Sequence, residues 1–207
     1  MHGHESILGI ETKGPAIFLD RDGVINEDRN YVHSVADFHF LPGVLEACRL
    51  FVVAGFRLVV ITNQAGVARG LYTVEDVEAL HFWMAEQFRA ASAPLSGIYF
   101  CPHHPDGIVS PYRKACLCRK PAPGLIIKAN TELQIDLPRS ILVGDKVSDV
   151  LAGRAAGVGR CFLLAHGSPV PTDAAIDAVI SNLPELLLIL AASRHQYAPI
   201  ASGDGHQ

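Results

Sequence analysis

Asp20 and Asp22 stand one residue apart in Ala16-Ile-Phe-Leu-Asp-Arg-Asp-Gly-Val-Ile-Asn26, after an apolar run and before a glycine. Two carboxylates so spaced can share one ligand, one attacking phosphorus and the other moving protons. Further polar sets follow in the chain: Thr62-Asn63, Arg119-Lys120, and Asp145 with Asp149. Together they compose a phosphoryl-transfer site. A phosphate monoester is a dianion, so an anionic nucleophile reaches it only when cations offset the repulsion. Asp20 and Asp145 offer the hard oxygen ligands that Mg2+ takes together with substrate phosphate. Lys120 offers a fixed charge, and Thr62 with nearby amides offers hydrogen bonds. In this reading Asp20 forms an acyl phosphate that water then breaks. Asp22 protonates the leaving oxygen in the first step and deprotonates the water in the second. An isolated Asp-x-Asp is more often a turn or cap, and it is the succession of sets at element boundaries that carries the chemistry.

A second constellation joins Cys101-Pro-His103-His104-Pro to Cys116-Leu-Cys118. Three thiolates and an imidazole, from His103 or His104, make a closed tetrahedral zinc set with no position left for a catalytic water, which predicts a structural metal. Cys48 and Cys161 lie in apolar patterns and are expected in the core. Asn63, Arg69, Arg119 and Lys146 are the candidate substrate contacts. Arg69, in Gly66-Val-Ala-Arg-Gly70, leaves the second strand end, and Lys146 follows Asp145 directly. Arg113 and Lys114 are as readily plain surface charges. More cations than one phosphate needs point to a substrate with a second phosphate.

The elements that must position these groups alternate strand and helix. Ala16 to Leu19 is too short for a helix and reads as a strand buried on both faces, with Asp20 at its carboxyl end, where ligands bind in open parallel sheets. Helical periodicity covers Val44 to Ala54, closed by Gly55, and Phe56 to Thr62 is a second buried strand. The right-handed βαβ unit so formed puts Asp20 and Thr62 at one sheet edge. A capping box at Thr73-Val-Glu-Asp76 opens a helix to Arg89, and Gly97 to Phe100 is a short strand. Residues 101–119 are aperiodic and rich in Cys, His and Pro, a loop that needs metal for order. Leu125 to Leu133, Ile141 to Val143, Asp149 to Ala156 and Cys161 to Leu164 continue the alternation. Ala178 to Ile180 adds a last strand, and Asn182 caps a helix from Leu183 to Ala192. Residues 193–207 read as a frayed tail.

The chain's 207 residues, 49% hydrophobic and 18% charged, fit a single globular α/β domain with its core over about 16–192. A net charge of −4 argues against a nucleic-acid binder. The run Leu186 to Ala192 falls well short of the roughly 20 residues of a membrane span and reads as a buried helix. Ile7-Leu-Gly-Ile10 is too short for a signal segment. Clustered cysteines suit a reduced compartment, and a cytoplasmic monomer is expected.

At these motifs the chain resembles the haloacid dehalogenase superfamily of phosphohydrolases, through Phe18-Leu-Asp-Arg-Asp-Gly23, Ile61-Thr-Asn63, Lys120 and Gly144-Asp145-x-x-x-Asp149. Within it the chain is similar to the D-glycero-D-manno-heptose 1,7-bisphosphate 7-phosphatase family over about residues 16 to 165. Asp-Arg-Asp-Gly-Val-Ile-Asn, Thr-Asn-Gln-x-Gly-x-Ala-Arg-Gly, Cys-Pro-His-His-Pro, Cys-x-Cys-Arg-Lys-Pro and Gly-Asp-Lys carry the likeness. The resemblance implies a Rossmann-like three-layer sandwich around a parallel sheet, Asp20 as nucleophile and Asp22 as general acid/base. It implies Mg2+ on Asp20, Asp145 and the Asp22 carbonyl, and zinc on Cys101, His103, Cys116 and Cys118. It also implies a phosphorylated sugar as substrate, in building the heptose of lipopolysaccharide or related glycans. Ala65 departs from the serine the family often has there. The spacing between motifs leaves no room for a cap domain, so the zinc loop is expected to cover the cleft and fix Arg119-Lys120. Histidinol-phosphate phosphatase, a zinc-loop relative, is the alternative enzyme. A zinc-stabilised phosphosugar-binding protein is the alternative outside catalysis, and the presence of both Asp20 and Asp22 argues against it.

Overall fold

The computed structural model describes residues 13–165 and 175–192. Its strands are β1 (Ala16–Leu19), β2 (Arg57–Asn63), β3 (Leu95–Cys101), β4 (Ile141–Gly144), β5 (Arg160–Leu164) and β6 (Ala178–Ile180). Its α-helices are α1 (Val44–Val53), α2 (Val74–Ala90), α3 (Gly124–Leu133), α4 (Val147–Ala156) and α5 (Leu183–Ala192). The strands form one six-stranded sheet in the order β3-β2-β1-β4-β5-β6, every pairing parallel.

Alternating side chains along the strands build two cores. Ile17, Leu19, Val60 and Val143 face α1, α2 and α5, while Phe18, Val59, Ile61 and Leu142 face α3 and α4. The result is the expected three-layer sandwich. Burial on both faces is why these strands read as unbroken apolar runs. Phe51 and Phe88, both fully buried, wedge α1 and α2 onto the sheet, and truncating either to alanine would cost about 3–5 kcal/mol.

Helix ends follow local chemistry. The Thr73 hydroxyl accepts from the Asp76 amide at 3.1 Å, and the Asp76 carboxylate accepts from the Thr73 amide at 2.8 Å. The Asn182 side chain accepts from the Glu185 amide at 2.9 Å. α4 begins at Val147, two residues before the Asp149 expected from periodicity, because the Asp149 carboxylate folds back to accept from the Lys146 amide at 2.9 Å. β3 begins at Leu95, before the expected Gly97, through a register shift opposite Leu58 and Val59. α5 is not the buried helix expected. Leu183 and Leu186 are buried but Leu188 is 73% exposed, since among the described residues α5 packs chiefly against α1 and β6. The expected tail at 193–207 and the N-terminal segment through residue 12 lie outside the described residues.

Leu19 pairs with Val60 on one side and Val143 on the other, so the carboxyl ends of β1, β2 and β4 emerge together. The connections leaving this edge include residues 20–43, with one 3-10 turn at Val35–Asp37, shorter turns after β2 and β4, and the Cys/His loop after β3, and none folds into a cap among the described residues. No described helix is long and apolar enough to cross a membrane.

Candidate active site

Asp20 leaves the end of β1 with its amide donating to the Val143 carbonyl at 3.0 Å. Lys120 reaches it from the segment before α3, with Nζ 3.0 Å from the Asp20 Oδ1 and 2.6 Å from the Asp149 Oδ1. The same ammonium donates to the Ile61 carbonyl at 2.9 Å. Asn63 holds the lysine from behind: its Oδ1 accepts from the Lys120 amide and its Nδ2 donates to the Lys120 carbonyl, each at 3.1 Å. Asn63 thus reaches the cleft, as expected of a substrate contact, but its amide is engaged in fixing Lys120.

Asp20, Asp145 and Asp149 bring carboxylate oxygens within 4.8 Å of one another. Burial pushes the Asp20 carboxyl up to about 7; Lys120 pulls it down, and Asp149, Asp145 and Asp22 push it further up. Burial also raises Asp145, whose Oδ1 is enclosed with no hydrogen-bond partner among the described residues. Room for the cluster comes from Gly23, at φ +86°, where a Cβ would stand 2.5 Å from the Asp145 Oδ2. Crowded carboxylates with an orphaned oxygen suit a hard divalent cation, and all-oxygen donors suit Mg2+.

Asp22 stands beside this cluster and outside it. Arg21 Nη2 donates to both its oxygens at 3.0 and 2.8 Å, Asn26 Nδ2 to Oδ1 at 2.9 Å, and Gln64 Nε2 to Oδ2 at 3.0 Å. Gln64 also donates to the Thr62 hydroxyl at 2.9 Å.

These groups open onto a cleft of about 510 Å³ whose lining includes Asp20, Asp22, Thr62, Asn63, Lys120 and the cations Arg69, Arg119 and Lys146. All the sequence candidates for catalysis and substrate contact therefore meet at one site. Arg113 and Lys114 are not part of its lining. Lys146 is paired, 3.2 Å from the Asp28 carboxylate and 3.5 Å from Asp145. Burial lowers its proton affinity, but Asp145 and Asp28 outweigh that and hold the ammonium above the ordinary lysine range. Arg69 Nη2 lies 3.3 Å from His104 Nε2, and the Arg69 Nε is buried with no hydrogen-bond partner among the described residues.

Cys101, His103, Cys116 and Cys118 converge with ligand atoms within 4.8 Å. Cys118 Sγ is 3.1 Å from Cys116 Sγ, 3.2 Å from Cys101 Sγ and 3.3 Å from His103 Nδ1. The cysteines are free thiols, and the donor set fits zinc. The spacing left His103 and His104 open; the fold turns His103 to the thiols and His104 to Arg69 and the cleft. The loop borders the cleft through His104 and Arg119, and Arg119 Nη1 donates to the His103 carbonyl at 3.4 Å.

Sequence reasoning assigned no site role to Arg21, Gln64, Tyr72 or Asp28, considered His104 only as a zinc ligand, and left Asp149 outside the metal set. The Gly-Asp-x-x-x-Asp spacing, which puts Asp149 one turn into α4, was the available signal for it. Arg21 and Gln64 offered none, since a charged or amide residue inside a motif reads as solvent-facing.

Residues 117–186 match the family model of HAD-hydrolase-like proteins. The chain is 47% identical over 174 residues to the D-glycero-beta-D-manno-heptose-1,7-bisphosphate 7-phosphatase of Yersinia pestis, covering 83% of this chain and 93% of that one. It is also 47% identical to the enzyme of the same name from Escherichia coli K12, covering 83% and 91%. Among solved structures, the D,D-heptose 1,7-bisphosphate phosphatase of B. bronchiseptica complexed with magnesium and phosphate superposes with a TM-score of 0.74 at 30% identity, covering 86% of this chain and 99% of that one.

Proposed function

We propose that this chain, which belongs to the D-glycero-beta-D-manno-heptose-1,7-bisphosphate 7-phosphatase family of HAD-like hydrolases, removes the 7-phosphate of that sugar through an aspartyl phosphate. The observation that carries the reading is Asp20 itself: a carboxylate at a strand end, 3.0 Å from the Lys120 ammonium and crowded by Asp145 and Asp149.

In the first step an Asp20 oxygen attacks phosphorus while the bond to the sugar oxygen breaks, and Asp22 gives that oxygen its proton. Lys120 and the Thr62 hydroxyl hold the transferring phosphoryl group. In the second step water attacks the acyl phosphate, Asp22 takes the water's proton, and Asp20 is regenerated as inorganic phosphate leaves. Asp20, Asp145 and the Asp22 carbonyl, with Asp149 beside them, would hold Mg2+, which supplies positive charge against the dianion. Cys101, His103, Cys116 and Cys118 would hold a structural zinc that orders the loop bearing Arg119 and Lys120. Arg69, Arg119 and Lys146 receive the second phosphate.

The reaction is assigned to the cytoplasm and to a single-domain monomer, with no nucleic-acid or membrane partner. Asp28 places one further carboxylate in the cleft, which a cationic amine substrate such as histidinol phosphate would use. It is paired with Lys146, while Arg69 and Arg119 line the cleft with no carboxylate partner among the described residues, and this surplus of positive charge favours the bisphosphate. A phosphate-release assay against both anomers of heptose 1,7-bisphosphate and against histidinol phosphate tests the reading. We expect Mg2+-dependent turnover of the beta bisphosphate above the others, abolished by Asp20→Asn. Preference for histidinol phosphate would overturn the substrate, and full turnover by Asp20→Asn would overturn the nucleophile.

A further inference from the structure

We propose that Arg21 and Gln64 are positioning residues that hold the Asp22 carboxylate in register for proton transfer to the leaving sugar oxygen and from the attacking water. The inference rests on the phosphatase reading above and concerns side chains to which that reading gives no part.

Arg21 is completely buried and is among the largest buried side chains of the protein. Its Nε and Nη2 lie 3.2 and 3.0 Å from the Asp22 Oδ1, and Nη2 lies 2.8 Å from Oδ2. The rest of the guanidinium is pinned. Nη2 donates to the Val32 carbonyl at 2.5 Å, and Nη1 lies 3.2 Å from His81 Nε2 on α2. Burial, followed by the charge of Arg21, pushes the His81 ring down to about 3, so it is neutral and its Nε2 accepts from the arginine. Gln64 is 1% exposed. Its amide is oriented by the Tyr72 hydroxyl, which donates to Oε1 at 2.7 Å and so turns Nε2 toward Asp22 and Thr62. Tyr72 is braced in turn by the His33 ring, stacked at 5.0 Å.

Two independently anchored donors therefore end on one carboxylate, and Asn26 adds a third. These donors hold the ionised carboxylate, the form that takes the water's proton, and fix its rotation; when Asp22 carries the proton for the sugar oxygen, one of these contacts gives way to the O–H. Burying an arginine is not an efficient way to stabilise a fold, since well-packed apolar residues often serve as well or better. Here both buried polar side chains converge on the group that must carry a proton in each half of the reaction. General acid and base transfer works over heavy-atom distances of about 2.6–3.2 Å, and a misplacement of about 1 Å can cost about a hundredfold.

Leaving-group dependence in a single turnover separates positioning from mere structure. The sugar oxygen of heptose bisphosphate needs the Asp22 proton to depart, whereas p-nitrophenolate leaves without one. Wild type, Gln64→Leu and Arg21→Met would be mixed in excess with each ester under Mg2+, and the first-turnover release of alcohol or nitrophenol followed by quench flow. We expect the variants to slow the sugar ester about ten- to hundredfold and the nitrophenyl ester by no more than about twofold, as Asp22→Asn should. Tyr72→Phe, which removes a single hydroxyl, gives the same comparison on a smaller scale should the larger changes unfold the chain. Equal losses on both esters, or no loss on either, would overturn the positioning role. Failure of the wild type to release phosphate from either ester would instead overturn the phosphatase reading.

Discussion

Lys120→Met removes the ammonium and keeps the unbranched stem beneath it. Lys120 is 3% exposed, and its Nζ lies 3.0 Å from Asp20 and 2.6 Å from Asp149. Without it two buried carboxylates face each other uncompensated, a change that costs about 3–5 kcal/mol when one partner of a buried pair is removed. That is a large share of the roughly 5–15 kcal/mol that holds a domain folded. The cost must depend on pH. Asp20 is already raised from 3.8 to about 7 with Lys120 among the influences pulling it down, so its loss raises the carboxyl further. An acid that binds its proton more tightly in the folded state keeps its full stability below the unfolded value and loses it as pH rises through the folded one. Wild type and variant lose stability in parallel until the wild-type Asp20 ionises near 7, so the penalty of Lys120→Met should be level from about pH 5 to about pH 6 and grow from about pH 7 to about pH 9. Urea unfolding of wild type and variant at about pH 6 and about pH 9, in chelator to remove divalent cations, measures it. Adding Asp149→Asn should recover part of the loss, with a coupling of at least about 1 kcal/mol in the double-mutant cycle. A penalty below about 1 kcal/mol at the higher pH, or one independent of pH, would refute the account of Lys120 as the counterion of this cluster.

Cys116→Ser should lower both thermal stability and turnover, because a structural zinc contributes folding energy outright; metal analysis should fall from about one zinc per chain, and unchanged melting with unchanged turnover would contradict the assigned loop. Gly23→Ala puts a Cβ 2.5 Å from the Asp145 Oδ2 at a φ of +86°, so the Mg2+ concentration for half-maximal activity should rise about ten- to hundredfold, and an unaltered requirement would exclude Asp145 from the metal site. His81, lowered from 6.5 to about 3 by burial and then by Arg21, is neutral in the fold but takes a proton when unfolded below about 6.5, so stability is lost as pH falls from there toward 3. His81→Gln should show a shallower acid slope in chemical denaturation, and a slope equal to the wild type's would show that the ring is not protected.

What was legible in the chain was legible for physical reasons. Strands buried on both faces leave continuous apolar runs, and β1, β2, β4 and β5 were read from them within a residue or two. Carboxyl ends of parallel strands collect ligands, and this places Asp20, Thr62 and Asp145 at one edge from the chain alone. Side-chain partners were not legible, because they depend on what the fold brings opposite. Asn63 reads as a substrate contact but turns to the Lys120 backbone, and Lys146 reads as a free cation but meets Asp28 from 118 residues away. The spacing could not choose between His103 and His104, since either lies within reach of the cysteines along the chain. Arg21 escaped because sequence reasoning sends charge to the surface unless a partner is visible. α5 erred the other way: a run of leucines says nothing of how many sides of an edge helix have neighbours.

The place of β1 in the middle of the sheet bears on how the protein is made. Its pairing with β2 is available early, but Ile17 meets Ile141 only after most of the chain exists, and the amide of Ala16 waits for the hydroxyl of Ser140, 124 positions later. During synthesis from the N-terminus, the nucleophile's own strand therefore has one hydrogen-bonding edge open until β4 emerges, and an apolar strand with a free edge is a template for wrong partners. The nascent chain carries Asp20, Asp22 and Thr62 through that interval without Asp145 or Asp149 to complete the carboxylate cluster. Catalytic competence and protection of the vulnerable edge are thus acquired together, with the same few residues.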